Sequence, residues 1–291
     1  MITIIITSYK EPKTIGKAIE QIIKNKLKNY EVLVTSPDQE TLNEAKKYSK
    51  RYNFIKLIRD FGRGKPAALN LAISKAKGKV LVLTDGDVYI GDNALKPLLD
   101  KLKGNKIGAA SGNPISLNPK GSKLGFWAYV LTNIANERRI KAIKSKKRFF
   151  CSGYLFAIKK DLFPKLPENL LSEDGFISNE VYKKGFLIDY SEKSRVYIKY
   201  PTTFDDWIIQ KKRSAGGYNQ IKKMTNVEIR SFKKESFGIF SLFKYVSNPL
   251  ELLWLIELFL ARIYLWIVIY RDVNLKDKSN KELWKRVEST K

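Results

Sequence analysis

The chain contains no histidine and a single cysteine, Cys151. Without histidine, Ser-His-Asp and Cys-His catalysis and imidazole metal ligation are excluded. One cysteine excludes an internal disulfide framework and a thiolate zinc site. Acids are also scarce: 29 Asp and Glu face 55 Lys and Arg, a formal net charge of +26. Internal repeats and low-complexity linkers are missing as well. Any acid–base or metal chemistry therefore falls to a small set of carboxylates.

What is present describes a folded protein. Apolar residues make up 44% and charged residues 29% of 291 residues, which is globular rather than disordered composition. The length suits one large domain, or one domain with an appendage. The basic excess runs along the whole chain and suits a polyanion, an anionic membrane face or a phosphorylated ligand.

The N-terminus lacks the basic start and long apolar core of a signal peptide. Ile2–Ser8 reads instead as a buried strand, ended by Tyr9-Lys10-Glu11-Pro12. A helix is expected from about Pro12, with Ile15, Ala18, Ile19, Ile22 and Ile23 as its apolar stripe. Glu31–Thr35 reads as a second strand. Ser36-Pro37-Asp38-Gln39 then offers a cap, a first-turn proline and a capping-box partner for the next helix. Phe54–Ile58 is a third strand, Lys65–Lys77 a third helix, and Lys79–Thr84 a fourth strand ending in Asp85-Gly86-Asp87. This alternation predicts an α/β fold with parallel strands and right-handed crossovers. Ligands bind such sheets at the carboxyl ends of the strands. Downstream, helices are expected near Ser122–Ile143, Glu173–Lys184 and Phe204–Met224, with a strand near Phe149–Ile158.

Phe237–Val246 is short, apolar and aromatic, and Leu250–Tyr270 is an apolar run long enough to cross a bilayer as a helix. Glu251, Glu257 and Arg262 interrupt it, each costing ~2.5–3.5 kcal/mol at a bilayer centre. Basic residues flank both ends: Lys233, Lys234 and Lys244 before, Arg271, Lys276, Lys278, Lys281, Lys285 and Arg286 after. A single span would put one of these flanks on the wrong side. The balance favours an in-plane or monotopic membrane helix over a true span or a buried soluble helix.

Asp85-Gly86-Asp87 sits where a strand meets a loop. Two carboxylates so placed can hold a hard divalent cation, although Asp and Gly suit a plain surface turn equally well. Glu173-Asp174 opens a helix after Ser172, which fits simple capping and dipole preference. It also supplies the carboxylate a histidine-free enzyme needs as general base. Arg138, Arg139, Lys141, Lys144, Lys146, Lys147 and Arg148 follow one another without an acid. Such a run is a solvated helix face or a site for lipid phosphate and anionic bilayer. Aromatic residues for stacking bases are not interleaved in it, so nucleic acid is not an expected partner.

In this order, Ile5-Ile6-Thr7-Ser8-Tyr9-Lys10-Glu11, Gly64-Lys65-Pro66-Ala67-Ala68-Leu69-Asn70, Asp85-Gly86-Asp87 and Ser172-Glu173-Asp174 resemble the family 2 inverting glycosyltransferases. Phe149-Phe150-Cys151-Ser152-Gly153 and Gln210-Lys211-Lys212-Arg213 are similar to motifs of the polysaccharide-synthase branch, as is the ending Trp284–Thr290. The resemblance implies a GT-A fold, a Rossmann-like mixed sheet flanked by helices, over residues 1–230. Residues 1–110 would form the nucleotide-binding half and 111–230 the acceptor half, followed by a membrane-associated segment over 231–291. It implies Thr7, Ser8, Tyr9, Glu11, Asp38 and Lys65 as donor-binding residues. Asp85 would contact ribose and donor sugar, and Asp87, with Asp85, would ligate Mn²⁺ or Mg²⁺. Asp174 would be the base with Glu173 beside it. Cys151, Gly153, Gln210 and Arg213 would serve acceptor and pyrophosphate. Three departures stand out. Thr35-Ser36-Pro37-Asp38 replaces a paired aspartate, Ser214 stands where a tryptophan is expected, and one candidate membrane helix cannot form an export channel. The expected activity is therefore addition of a single sugar, from a UDP-sugar by family frequency, to a lipid-linked or membrane-proximal acceptor on the cytoplasmic side. A non-enzymatic basic module for nucleic acid or anionic lipid is the alternative.

Overall fold

The computed structural model describes residues 1–225, 239–271 and 287–290. The basic flanks at Lys233, Lys234, Lys276, Lys278, Lys281, Lys285 and Arg286, and the start of the Trp284–Thr290 ending, lie outside the described residues. Eight strands form one mixed sheet: β1 (Ile2–Thr7), β2 (Tyr30–Ser36), β3 (Ile55–Arg59), β4 (Val80–Asp85), β5 (Val88–Ile90), β6 (Ile107–Ser116), β7 (Leu155–Lys159) and β8 (Leu187–Ile198). Their spatial order is β3-β2-β1-β4-β7-β6-β8-β5. The first four are parallel, β7 runs against both β4 and β6, and β5 runs against β8.

β1 shows why this half folds as its sequence suggests. Ile4 and Ile6 enter one apolar layer with the stripe Ile15, Ile19 and Ile22 of helix α1 (Ile15–Lys24). Ile5 enters the opposite layer with Leu69 of helix α3 (Lys65–Lys75) and Ile177 of helix α6 (Glu173–Lys183). The period-two alternation of a strand sends neighbouring isoleucines to opposite faces, and helices cover both. Helices α2 (Gln39–Arg51) and α4 (Leu95–Lys101) complete the first layer. The chain reverses direction across the sheet at β1, between β2 and β4. That places a crevice at the carboxyl ends of these strands, where Thr7 lies in register with both Thr35 and Asp85.

Two expectations need correction. Helix α2 begins after Asp38, not after Ser36, because Asp38 is extended and its carboxylate accepts the Thr41 amide. Ser36 remains in β2 and donates its hydroxyl to the same carboxylate. The strand expected from Phe149 starts only at Leu155. Upstream, the amides of Cys151, Ser152 and Gly153 donate to Ser178 Oγ, Ser111 Oγ and Asp174 Oδ2 instead of to a neighbouring strand. The segment is aromatic enough for a ladder, but its donors are taken by side chains.

A third apolar cluster joins helices α5 (Lys123–Lys144), α7 (Phe204–Thr225) and α8 (Pro249–Ile269). Trp127 packs edge-on against Trp207 at 5.3 Å between ring centres and donates its indole N–H to the Trp254 carbonyl at 2.7 Å. Leu255, Leu258 and Leu265 bury one face of α8 in this cluster, while Leu253, Ile256, Leu260, Ile263 and Ile267 stand exposed on another. By length and composition α8 is the one described helix apolar enough to cross a membrane.

Candidate active site

A cleft of about 2430 Å³ opens at the carboxyl ends of β1 and β4 and extends across α6 to α5, α7 and α8. Thr7, Ser8, Tyr9, Glu11, Lys65, Asp85 and Asp87 line it on the sheet side. Cys151, Gly153, Glu173, Asp174, Gln210 and Arg213 line it on the helix side. Residues up to 206 positions apart in sequence order thus face one space, with Asp38 alone of the expected set outside it.

The sheet-side wall is held by short polar bonds. Thr7 Oγ1 donates to Asp85 Oδ1 at 2.8 Å, a direct consequence of their register. Ser8 Oγ donates to Glu11 Oε2 at 2.7 Å. A side chain at Gly86 would place its Cβ 2.3 Å from Ser8 Oγ and 2.6 Å from Glu11 Oε2. Only glycine lets the Asp85–Asp87 turn lie against the β1 loop. Lys65, the first residue of α3, reaches Asp85 Oδ1 and Glu173 Oε1, both at 2.7 Å. Burial disfavours its ammonium, but the two carboxylates outweigh that and hold its pKa well above the usual lysine value. Lys65 therefore stays charged and couples the β4 turn to the start of α6.

Asp174 is held on the other wall. Its Oδ1 accepts from Ser172 Oγ at 2.6 Å and from the Gly175 amide at 2.8 Å. Its Oδ2 accepts from the Gly153 amide at 3.0 Å. A Cβ at Gly153 would approach Oδ2 to 3.3 Å. Each carboxylate oxygen has two lone pairs, so Oδ2 keeps one for a substrate proton. Beneath it, burial pushes the Cys151 thiol up to about 12. Cys151 is thus a neutral packing residue and not a nucleophile at ordinary pH. Gln210 is buried, and its Oε1 has no hydrogen-bond partner.

Asp38 stands apart. Both its oxygens are engaged, by the Thr41 and Lys10 amides and Ser36 Oγ. Burial opposes its ionisation, yet these donors prevail and hold its carboxyl below the usual aspartate value. Asp60, just past β3, lines the cleft instead and accepts from Thr35 Oγ1 and the Gly62 amide. The sequence carries a signal for it, an acid two residues after a predicted strand. Tyr154 was likewise not expected. It lies where Arg213, Asp87, Asp85 and Asp174 all act on it, and burial pushes its phenol up to about 12. Trp207, the tryptophan nearest the expected position, belongs to the α5–α7–α8 core and not to the cleft.

Among the described residues no cluster of three or more Asp, Glu or Cys could enclose a metal unaided. Asp85 and Asp87 form an all-oxygen pair on a turn. That donor set fits Mg²⁺ or Mn²⁺ completed by phosphate oxygens and water.

Comparison with known proteins decides the family. The family model described as Glycosyl transferase family 2 matches residues 3–166, more than half of the chain. The chain belongs to glycosyl transferase family 2. It is 24% identical over 232 residues to a poly-beta-1,6-N-acetyl-D-glucosamine synthase of Staphylococcus epidermidis, covering 76% of this chain and 55% of that protein. It is 27% identical over 114 residues to a UDP-Glc:alpha-D-GlcNAc-diphosphoundecaprenol beta-1,3-glucosyltransferase of Escherichia coli, covering 39% and 45%. The chain thus spans about half the length of these relatives. Its fold resembles that of GalNAc-T7 solved with UDP, GalNAc and Mn²⁺, with a TM-score of 0.54 at 17% identity over 84% of this chain and 54% of that one. The mixed sheet between helix layers is the GT-A type expected of this family 2 member.

Proposed function

We propose that this chain is a metal-dependent inverting glycosyltransferase that moves a sugar from a nucleotide-sugar, UDP-linked by preference, to a hydroxyl or phosphate of a lipid-linked or membrane-proximal acceptor. The observation that carries the reading is the single cleft in which Asp85-Gly86-Asp87 faces Asp174, with Lys65 touching Asp85 and Glu173 between them. Thr7, Ser8, Tyr9, Glu11 and Asp60 hold base and ribose, Asp60 taking the part first assigned to Asp38. The pair Asp85 and Asp87 would hold the cation, which would supply positive charge to neutralise the diphosphate. Residues 1–110 serve the donor and 111–230 the acceptor.

In the transfer, Asp174 Oδ2 takes the proton of the acceptor hydroxyl as its oxygen attacks the anomeric carbon. The bond from that carbon to the phosphate oxygen breaks, and the electron pair leaves with the nucleoside diphosphate. Attack and departure on opposite faces of the sugar invert the anomeric centre. Lys65 and Arg213 answer the charge that develops on the leaving group, and being already in place they need no reorganisation. An acceptor phosphate, already ionised, would need no base.

The segment expected over 231–291 includes α8, whose exposed apolar face supports peripheral or monotopic attachment to an anionic surface. With +26 of charge on the chain, attraction adds to burial. A nucleotide-sugar donor puts the site on the cytoplasmic face. Calorimetry of UDP and GDP with and without Mn²⁺ tests the donor site. Metal-dependent UDP binding that falls at least tenfold in Asp87→Asn is expected. Binding of neither nucleotide, with salt-sensitive binding to arbitrary DNA, would instead favour the basic-module alternative.

A further inference from the structure

We infer that the sheet edge at β5 and β8 carries a second carbohydrate site, separate from the cleft, that takes an acidic saccharide: a glycan chain bearing carboxylate groups. A hollow of about 470 Å³ lies there and shares no lining residue with the cleft. Its size falls within the range of about 300–1,000 Å³ that small-molecule sites occupy. Strand register builds it. β5 runs against β8 with Tyr89 opposite Tyr197 and Ile90 opposite Val196. Ile90 and Val196 enter the apolar layer that α1 covers, so the alternation of a strand turns Tyr89, Tyr197 and Arg195 outward. Lys17 and Gln21, one turn apart on α1, and Asp92, just past β5, stand around the same hollow.

The lining combines three kinds of group. Tyr89 and Tyr197 are only half-buried, and their rings offer apolar surface to the C–H face of a pyranose. Gly91 lets Tyr197 lie close against β5, since a Cβ there would stand 3.2 Å from Tyr197 Cε2 and 3.1 Å from the Arg195 carbonyl oxygen. Lys17 holds its ammonium 4.4 Å from the centre of the Tyr89 ring. Lys193 and Arg195 add two more cations, against the single acid Asp92. Among the described residues none of these three cations is paired with a carboxylate. Gln21 presents its amide nitrogen to Asp92 Oδ1 and the Ile90 carbonyl oxygen, each at 3.3 Å, which puts an amide and a carboxylate within the hollow for sugar hydroxyls. Guarding an edge strand against pairing would call for the cations alone. It does not call for two tyrosines and a polar pair around one hollow. A nucleotide would ask for a slot that holds its base between parallel rings. Here the tyrosines stand opposite each other on one face of the ladder and suit successive sugar rings laid across them. Arg195 and Lys193 continue along β8 beyond Tyr197, where a guanidinium can take a carboxylate through two bonds.

The test titrates the full chain in a calorimeter with trigalacturonic acid and a hyaluronan tetrasaccharide as acidic chains, maltotriose as a neutral chain and acetate as the bare anion. UDP with Mn²⁺ is measured on the same samples. At least one acidic chain should bind about tenfold more tightly than maltotriose or acetate. Arg195→Gln alters an exposed side chain and should weaken that binding about tenfold while UDP affinity stays unchanged. Tyr197→Ala should weaken it about fivefold, and Tyr197→Phe, which keeps the ring, should weaken it less. Should Tyr197→Ala fail to fold, Arg195→Gln carries the test alone. Acidic-chain binding that survives Arg195→Gln belongs to the basic surface at large and overturns the site. Equal binding of maltotriose or acetate, or no binding of either acidic chain, overturns it as well. A second equivalent of UDP that disappears in Arg195→Gln makes the hollow a nucleotide site and overturns the saccharide reading. Acidic-chain binding that Arg195→Gln removes, in a protein that binds no UDP, keeps this site and removes the transferase reading.

Discussion

The two ends of the cleft are built on different principles. At the sheet end, Thr7, Ser8, Glu11 and Asp85 are tied by side-chain hydrogen bonds of 2.7–2.8 Å, on backbone whose positions follow from strand register. At the helix end, the wall of α5 and α8 is held by aromatic and aliphatic packing around Trp127, Trp207 and Leu258. The first arrangement is polar and fixed atom by atom, which suits a ligand rich in directional groups. The second specifies shape and polarity over an area, which suits a ligand with few directional groups. Lys65 ties the sheet end to the start of α6, where the Gly153 amide holds Asp174.

Asp174→Asn should break the junction most severely. Loss of a general base costs about 10²–10⁴ in rate, so with a hydroxyl acceptor kcat should fall about a thousandfold while calorimetric UDP affinity stays unchanged. A matching loss of UDP affinity would move Asp174 into the donor site. Trp127→Ala attacks the helix end alone. It removes a fully buried indole and its bond to Trp254, so urea unfolding should show a loss of about 3–5 kcal/mol, with nucleotide affinity in the remaining folded protein near wild type. Lys65→Met leaves Asp85 and Glu173 facing each other uncompensated. The Lys65 side chain keeps 29% exposure, so the stability cost should be smaller than for a fully buried pair, about 1–3 kcal/mol. UDP affinity should fall with it.

Asp38→Ala sharpens the comparison from the other side, since it tests whether that acid is scaffold or contact. As the cap of α2 it should cost about 1 kcal/mol at neutral pH and leave UDP binding unaltered. Its folded pKa lies below the ordinary 3.8. The stability it contributes is thus full above that value and is lost as pH falls through the folded pKa. The difference between wild type and variant should shrink in urea titrations below about pH 3.8.

The same contrast governs what could be read from sequence. Thr7–Glu11, Lys65, Asp85–Asp87 and Glu173–Asp174 were recognisable because each sits at a strand end or helix start, where local signals are strongest. Asp38 and Asp60 were not separable by such signals. Both are acids following a strand, and only the true start of α2 shows that Asp38 is consumed as its cap. β6 was missed because Ile107–Ser116 is rich in Gly, Ala, Ser and Asn and contains Pro114, all poor strand formers. It is held by β7 and β8 on either side. Phe149–Gly153 was overread because strand propensity cannot reveal that its amides are claimed by Ser178, Ser111 and Asp174. The faces of α8 were unreadable in principle. Its acids Glu251 and Glu257 pair with Lys120 and Lys123 instead of marking the exposed side, so the positions of its charges do not separate the side that packs from the side left open.

The exposed side of α8 also bears on how the reaction would be counted. A protein resting on a bilayer through Leu253, Ile256, Leu260 and Ile267 meets a lipid substrate by lateral diffusion in two dimensions. Its turnover then follows the mole fraction of acceptor in the surface and not the amount per litre. Adding inert lipid at constant acceptor would slow it by dilution, although every bulk concentration of reactant stayed the same.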